Sequence, residues 1–276
     1  MGSFMNVVIY RLPLMLYGVP QVSKSFSLAW PPSHCPVCLS RIKFYDNIPV
    51  ISWLMLRGKC RCCRVGIPFV YPLTETVTGL WFVAVYLCLA EPANPSSLTF
   101  SAATLLSPPL TLFCLLYCIT VIDFRHYLIP DVLSLGLLWA GMVFSVSGLL
   151  SVLPFQAVAG CVLAWGLTRG VQWGYRAVRG YEGLGAGDAK LFAAAAVWVG
   201  VSQVAWLILF SAVAGGVLYG TQWFYQRHIL VPSGQPKSGA EREAEDVDPD
   251  ICRHKFYIPF GPAIALATLV LYLTRI

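Results

Sequence analysis

The stretch Leu110-Thr111-Leu112-Phe113-Cys114-Leu115-Leu116-Tyr117-Cys118-Ile119-Thr120-Val121-Ile122 carries no charge and then ends on Asp123. With the apolar residues just upstream it reads as a helix near residues 103–122, close to the 20 residues needed to cross about 30 Å of hydrocarbon. An ionised aspartate costs roughly 2.5–3.5 kcal/mol or more at the centre of a bilayer, and the cost falls toward zero at a helix end. Asp123 therefore belongs where the span meets polar sequence. A second aspartate sits in the same setting 65 residues later, inside Gly185-Ala186-Gly187-Asp188-Ala189-Lys190.

Working outward, the chain repeats this pattern. It is 57% hydrophobic and only 12% charged, against about 45–50% apolar for an average soluble domain. Apolar segments near 73–90, 131–150, 154–173, 189–202, 203–225 and 256–275 read as further helices, and Met1–Leu16 as a shorter one. The expected fold is an all-α polytopic membrane protein of about eight transmembrane helices. It divides into a truncated first helix at 1–17, a polar cysteine-rich module at 18–72, and a membrane domain at 73–276. Within that domain, 228–255 reads as a disordered loop, since 233–250 carries six acidic residues against Lys237 and Arg242.

Basic residues orient the chain. Segment 18–72 carries Lys24, Arg41, Lys43, Arg57, Lys59, Arg61 and Arg64 against one acid, Asp46, whereas the connection at 91–102 holds only Glu91. Positively charged short loops stay in the cytoplasm, which puts the cysteine module, Asp123 and Asp188 at the same inner face. The net charge of +6 is accounted for by these loops and their attraction to anionic membrane lipid, so no nucleic-acid partner is expected. Met1–Leu16 lacks the basic start and small-residue cleavage site of a signal peptide.

Five of the ten cysteines fall within residues 35–63. Cys35-Pro36-Val37-Cys38 and Cys60-Arg61-Cys62-Cys63 form two C-x2-C knuckles separated by 21 residues, close to zinc-ribbon spacing. Cys35, Cys38, Cys60 and Cys63 are the expected ligands of a structural zinc. Cys62 is an alternative to Cys63, His34 a flanking residue, and a pair of disulfides the competing reading, disfavoured in a reducing compartment. Cys88, Cys114, Cys118 and Cys161 read as packing residues. Cys252 has no partner at ligand spacing.

The glycines around Asp188 suggest close backbone approach and unusual dihedrals lining a wet cavity. Two carboxylates at one membrane face share a proton, titrate as a unit and suit aspartyl-protease chemistry: one activates water while the other polarises a carbonyl. Asp131 follows Pro130 and reads as a helix N-terminal carboxylate. His126 reads as an interfacial histidine.

Met1-Gly2-Ser3-Phe4-Met5-Asn6, the two knuckles, Tyr45-Asp46-Asn47-Ile48-Pro49, Tyr71-Pro72-Leu73-Thr74-Glu75, Asp123 to Asp131, Gly185 to Lys190 and Pro259-Phe260-Gly261-Pro262 together resemble the type IV prepilin peptidases, GxGD-type intramembrane aspartyl proteases. The resemblance covers nearly the whole chain, with the motifs in the family's order. It implies a bifunctional inner-membrane enzyme of type IV pilus or type II secretion systems. Such an enzyme removes the leader of prepilins or pseudopilins after a glycine, then methylates the new N-terminal residue with S-adenosylmethionine. It implies catalytic roles for Asp123 and Asp188, a cysteine tetrad at Cys35, Cys38, Cys60 and Cys63, and a methyl-transfer region containing Asp46, Asn47 and Glu75. The family also has more apolar sequence ahead of Gly2, which implies the truncation of the first helix. Two other classes compete: a transporter using membrane carboxylates, and a zinc-stabilised assembly scaffold without catalysis.

Overall fold

A computed structural model describes residues 1–17, 27–89, 98–180, 185–229 and 259–275. Nine α-helices lie among them: α1 (Gly2–Tyr17), α2 (Ile51–Met55), α3 (Val70–Leu89), α4 (Leu98–His126), α5 (Asp131–Val146), α6 (Pro154–Arg179), α7 (Ala186–Val199), α8 (Val204–Ile229) and α9 (Gly261–Leu273). The described residues contain no strand, only isolated bridges between His34 and Arg41 and between Lys59 and Gly66. The acidic loop expected at 228–255 falls, beyond Ile229, outside the described residues, as do Lys24, Glu91 and Cys252.

Helix α7 is the centre of the bundle. Ala189 and every residue from Leu191 to Val199 are buried, and α5, α6, α8 and α9 pack around it. Its run Ala193 to Ala196 lets neighbouring backbones approach closely, which is how helices associate where surrounding lipid is as apolar as the side chains themselves. Trp198 anchors one end: it is 1% exposed and donates from Nε1 to the Leu137 carbonyl at 2.9 Å. On the other side Leu112, Leu116, Ile119 and Ile122 of α4, all at 0% exposure, follow helical spacing and form the face against which α5 and α9 close. Helices α1 and α3 pack on α4 and on each other.

The outer surface is strongly apolar. Leu80, Val83 and Leu87 of α3, Phe155, Val158, Val162 and Trp165 of α6, and Val213 and Val217 of α8 are all exposed, whereas polar Thr168, Gln172 and Ser211 are turned inward. Large contiguous apolar surface of this kind suits a lipid solvent rather than water. Among the described residues, three helices are long and apolar enough to cross a membrane: Val70–Cys88, Leu106–His126 and Val201–Thr221. Gly2–Leu16, Asp131–Val146 and Gly261–Leu273 are shorter apolar helices.

The last helix starts later than its hydropathy suggests. Residues 256–258 lie outside the described residues, and Pro259 and Phe260 are not helical; α9 opens at Gly261, with Pro262 in its first turn where a missing N–H costs nothing.

Candidate active site

Asp123 lies in the last turn of α4, where the exposed carbonyl end of the helix disfavours a negative charge. The fold offsets this with another helix. Gly261 is the first residue of α9, and its N–H, which has no partner within that helix, donates to Asp123 Oδ2 at 2.8 Å. The positive end of α9 thus faces a carboxylate that is 4% exposed. A Cβ at residue 261 would lie 2.8 Å from the same oxygen, so this approach requires glycine. The main chain of Asp123 is engaged as well: its carbonyl accepts the Tyr127 N–H at 2.9 Å, and Tyr127, at φ 51°, ends the helix in the left-handed conformation.

Asp188 is the third residue of α7, at the favourable end of its dipole. Its Oδ2 accepts the Gly185 N–H at 3.1 Å. Gly185 has φ −66° and ψ 146°, extended backbone open to any residue, so the expectation of unusual dihedrals does not hold there. Space is the reason for the glycines. A Cβ on Gly187 would sit 3.2 Å from Ile129 Cβ, in the segment that follows Asp123, and one on Gly185 would sit 3.0 Å from Asp188 Oδ2.

The two aspartates come together at one end of the bundle, within Coulombic reach of each other. Phe260, next to Gly261, packs its ring 6.1 Å from that of Phe192, one turn along α7 from Asp188, so α9 touches both carboxylate-bearing helices. Lys190 does not turn to Asp188 despite its proximity in sequence. Its Nζ donates to both oxygens of Asp131 at 2.7 Å, joining the start of α7 to the start of α5. Asp131 is thus the N-terminal carboxylate of α5, as its sequence suggests, with a partner its sequence did not reveal. His126 is exposed at the end of α4.

A second site lies in the cysteine module. The two knuckles repeat bond for bond: Cys35 N–H donates to Ser40 O and Leu39 N–H to Cys35 O, matching Cys60 to Val65 O and Arg64 to Cys60 O. Leu39 and Arg64 occupy equivalent left-handed positions at φ 55° and 60°. The Sγ atoms of Cys35, Cys38, Cys60 and Cys63 lie within 4.8 Å of one another, with Cys35 to Cys63 at 3.8 Å and Cys38 to Cys60 at 4.0 Å. Four thiolates at 2.3 Å from one tetrahedral zinc would stand about 3.8 Å apart, so the cluster fits that ion. The Ser40 hydroxyl, 3.0 Å from Cys38 Sγ, and the Ser40 N–H hold the Cys38 thiol down to about 6. The N–H groups of Cys63 and Cys62 lower Cys60. These two thiols ionise readily, as ligands must, whereas Cys63, lowered by the Val65 backbone, is pushed up to about 12 by burial and by the neighbouring Cys38, Cys60 and Cys35 thiols. Cys62 and His34 stand outside the tetrad.

Asp46, Asn47 and Glu75 gather beside this module. Arg61, between the cysteines of the second knuckle, donates from Nε and Nη2 to the two oxygens of Asp46 at 2.9 and 2.5 Å, and this hydrogen bonding holds the Asp46 carboxyl below its usual range. Ser3 Oγ donates to Asn47 Oδ1 at 3.1 Å, and Val50 N–H to Glu75 Oε2 at 2.8 Å. The turn at 44–50 therefore ties the second knuckle to the starts of α1 and α3.

Residues 1–89 match the bacterial peptidase A24 N-terminal domain, and residues 110–220 match the type IV leader peptidase family. The chain belongs to the type IV leader peptidase family. A prepilin leader peptidase/N-methyltransferase of Pectobacterium carotovorum subsp. carotovorum is 40% identical over 79% of this chain and 77% of its own. One of Dickeya chrysanthemi is 37% identical over 78% and 76%, and one of Stutzerimonas stutzeri 34% identical over 96% and 84%. No solved structure matches.

Proposed function

We propose that the chain is a membrane aspartyl endopeptidase that cleaves the leader from prepilins or pseudopilins after a glycine and N-methylates the residue thereby exposed. Asp123 and Asp188 are the catalytic pair. The observation that carries this reading is the convergence of two carboxylates from separate helices, each with one oxygen held by a backbone N–H. With both Oδ2 atoms occupied, the Oδ1 atoms are left for a shared proton and a water. The ionised carboxylate takes a proton from water as its oxygen adds to the scissile carbonyl carbon, and the protonated carboxyl gives its proton to the carbonyl oxygen. Collapse of the tetrahedral intermediate breaks the C–N bond as a proton passes to the leaving nitrogen. This chemistry is preferred to carboxylate-based transport because both matching families are peptidases.

Cys35, Cys38, Cys60 and Cys63 hold a structural zinc that pins the two knuckles together. Asp46, Asn47 and Glu75 belong to the methyl-transfer region, for which S-adenosylmethionine supplies the methyl group. Glu75 and Asn47 offer acceptor groups beside the start of α1 to a cationic donor. The chain divides at 1–17, 18–72 and 73–276 and sits in the bacterial inner membrane with about eight spans, cysteine module and aspartates facing the cytoplasm. What supports that orientation is the placement of the basic residues.

The test is cleavage and methylation of a prepilin by the purified chain in lipid, with Asp123→Asn and Asp188→Asn beside it. Leader removal by the native chain and its loss in both variants is the expected result. Equal cleavage by all three refutes the assignment.

A further inference from the structure

Helix α2 is built inside out for a segment in water. Its polar residue, Ser52, is 7% exposed, with Oγ donating to Tyr45 O at 2.9 Å and accepting the Ile48 N–H at 3.0 Å. Its apolar residues point away from the protein: Ile51 is 55% exposed, Leu54 62% and Met55 79%. Positions 51, 54 and 55 share one helical face. Trp53 secures the opposite side, donating from Nε1 to Ile67 O at 3.2 Å and meeting the Phe69 ring edge-on at 5.8 Å. Phe69 is itself 63% exposed and immediately precedes α3.

The position of α2 says what covers this face. Val50, at its start, is hydrogen-bonded to Glu75, a residue of the membrane-crossing length Val70–Cys88. Thus α2 lies beside the beginning of that span, where bilayer headgroups must be. The charge of the surrounding segment is predominantly positive. Arg41, Lys43, Arg57, Lys59, Arg61 and Arg64 are exposed, and the one acid of the segment, Asp46, is bound by Arg61 with Lys43 also acting on it. A short apolar face on a basic module matches an anionic lipid surface, with long basic side chains reaching phosphates while Leu and Met enter the acyl boundary.

We propose that α2, with Phe69, is a membrane foot: Ile51, Leu54, Met55 and Phe69 insert into the headgroup boundary of an anionic leaflet, and the surrounding Arg and Lys residues bind its phosphates. The foot holds the cysteine module down against the start of α3. This rests on the reading above that α3 crosses the bilayer.

The test is photocrosslinking in the full chain, reconstituted in neutral phosphatidylcholine vesicles or in vesicles also containing phosphatidylglycerol. Benzoylphenylalanine replaces Met55, or Leu54 in a second variant, or Leu80 on the exposed face of α3. Phospholipid adducts at 54 and 55, several-fold more abundant with phosphatidylglycerol, are expected alongside adducts at 80 in both lipids. Adducts at 80 with none at 54 or 55, or crosslinks from 54 and 55 to protein only, overturn the foot and leave the span intact. Absence of adducts at 80 overturns the span and the foot together. Equal labelling of 54 and 55 in both vesicles removes the anionic lipid from the proposal.

Discussion

The Gly261 amide donates to Asp123 Oδ2 at 2.8 Å across 138 residues of sequence. The bond satisfies the first donor of α9 and offsets the unfavourable helix end at which Asp123 sits. Gly261→Ala tests how far the site depends on this approach. Alanine suits a helix better than glycine by about 1 kcal/mol, so the fold is expected to persist. The new Cβ, 2.8 Å from Oδ2, must push the carboxylate aside. Displacement on that scale costs about 100-fold in rate, measurable as kcat/KM for prepilin cleavage with thermal stability unchanged. A fully active variant would remove Gly261 from the site.

The Asp123→Asn and Asp188→Asn variants keep shape and an acceptor oxygen for the backbone N–H, so both are expected to accumulate as folded protein. Each loses the shared proton chemistry, a decrease of roughly 10²–10⁴-fold. In the native chain the rate should rise with pH as the first carboxyl of the pair ionises and fall as the second does, because one of each form is needed. A flat pH–rate profile would count against a coupled pair.

Metal analysis separates Cys62 from Cys63. The folded, reduced protein is expected to hold about one zinc per chain. Cys62→Ser should retain it and Cys63→Ser lose it, since only Cys63 closes the tetrad. Loss of metal should depress methylation more than cleavage, because the second knuckle reaches Asp46 through Arg61 whereas Asp123 and Asp188 are held by the Gly261 and Gly185 amides, outside the cysteine module. Equal retention of zinc by both variants would undo the ligand assignment.

Trp198 carries the stability of the central helix. Replacing it by alanine leaves a large void and removes the hydrogen bond to the Leu137 carbonyl beside the core of α7. The expected cost is about 3–5 kcal/mol, read as a lowered unfolding temperature in detergent. Trp198→Phe, which keeps most of the volume and loses the hydrogen bond, should cost about 1 kcal/mol.

Much of this molecule is legible in its sequence for definable reasons. Apolar runs announce helices, and knuckle spacing alone preferred Cys63 to Cys62, because C-x2-C closes a turn that C-x-C does not. Family membership also followed from the ordered motifs. What escaped were relationships between distant residues. Nothing local to Gly261 points to Asp123, although Gly261-Pro262 is a helix-start signal that would have moved the α9 boundary from 256. Lys190 looked adjacent to Asp188, yet a two-residue step turns a side chain through about 200° on a helix, and it reached Asp131 instead. Hydropathy likewise could not show that α2 turns Ser52 inward, since five residues are too few to display a period.

The last prediction concerns the side of the membrane at which cleavage takes place. In the proposed orientation Arg41, Lys43, Arg57, Lys59, Arg61 and Arg64, which precede the span Val70–Cys88, keep that end of α3 on the cytoplasmic side. Crossings by α3 and α4 would then return Asp123 to the same face. Phe124 and Ala186 are exposed beside the two aspartates. Phe124→Cys and Ala186→Cys, in a background lacking the membrane cysteines but retaining the tetrad, should resist an impermeant thiol reagent in intact cells. Both should react once the inner membrane is opened, so that the leader is cut before it crosses. Labelling of both in cells with an intact inner membrane would reverse the orientation and place the substrate's scissile bond on the opposite face.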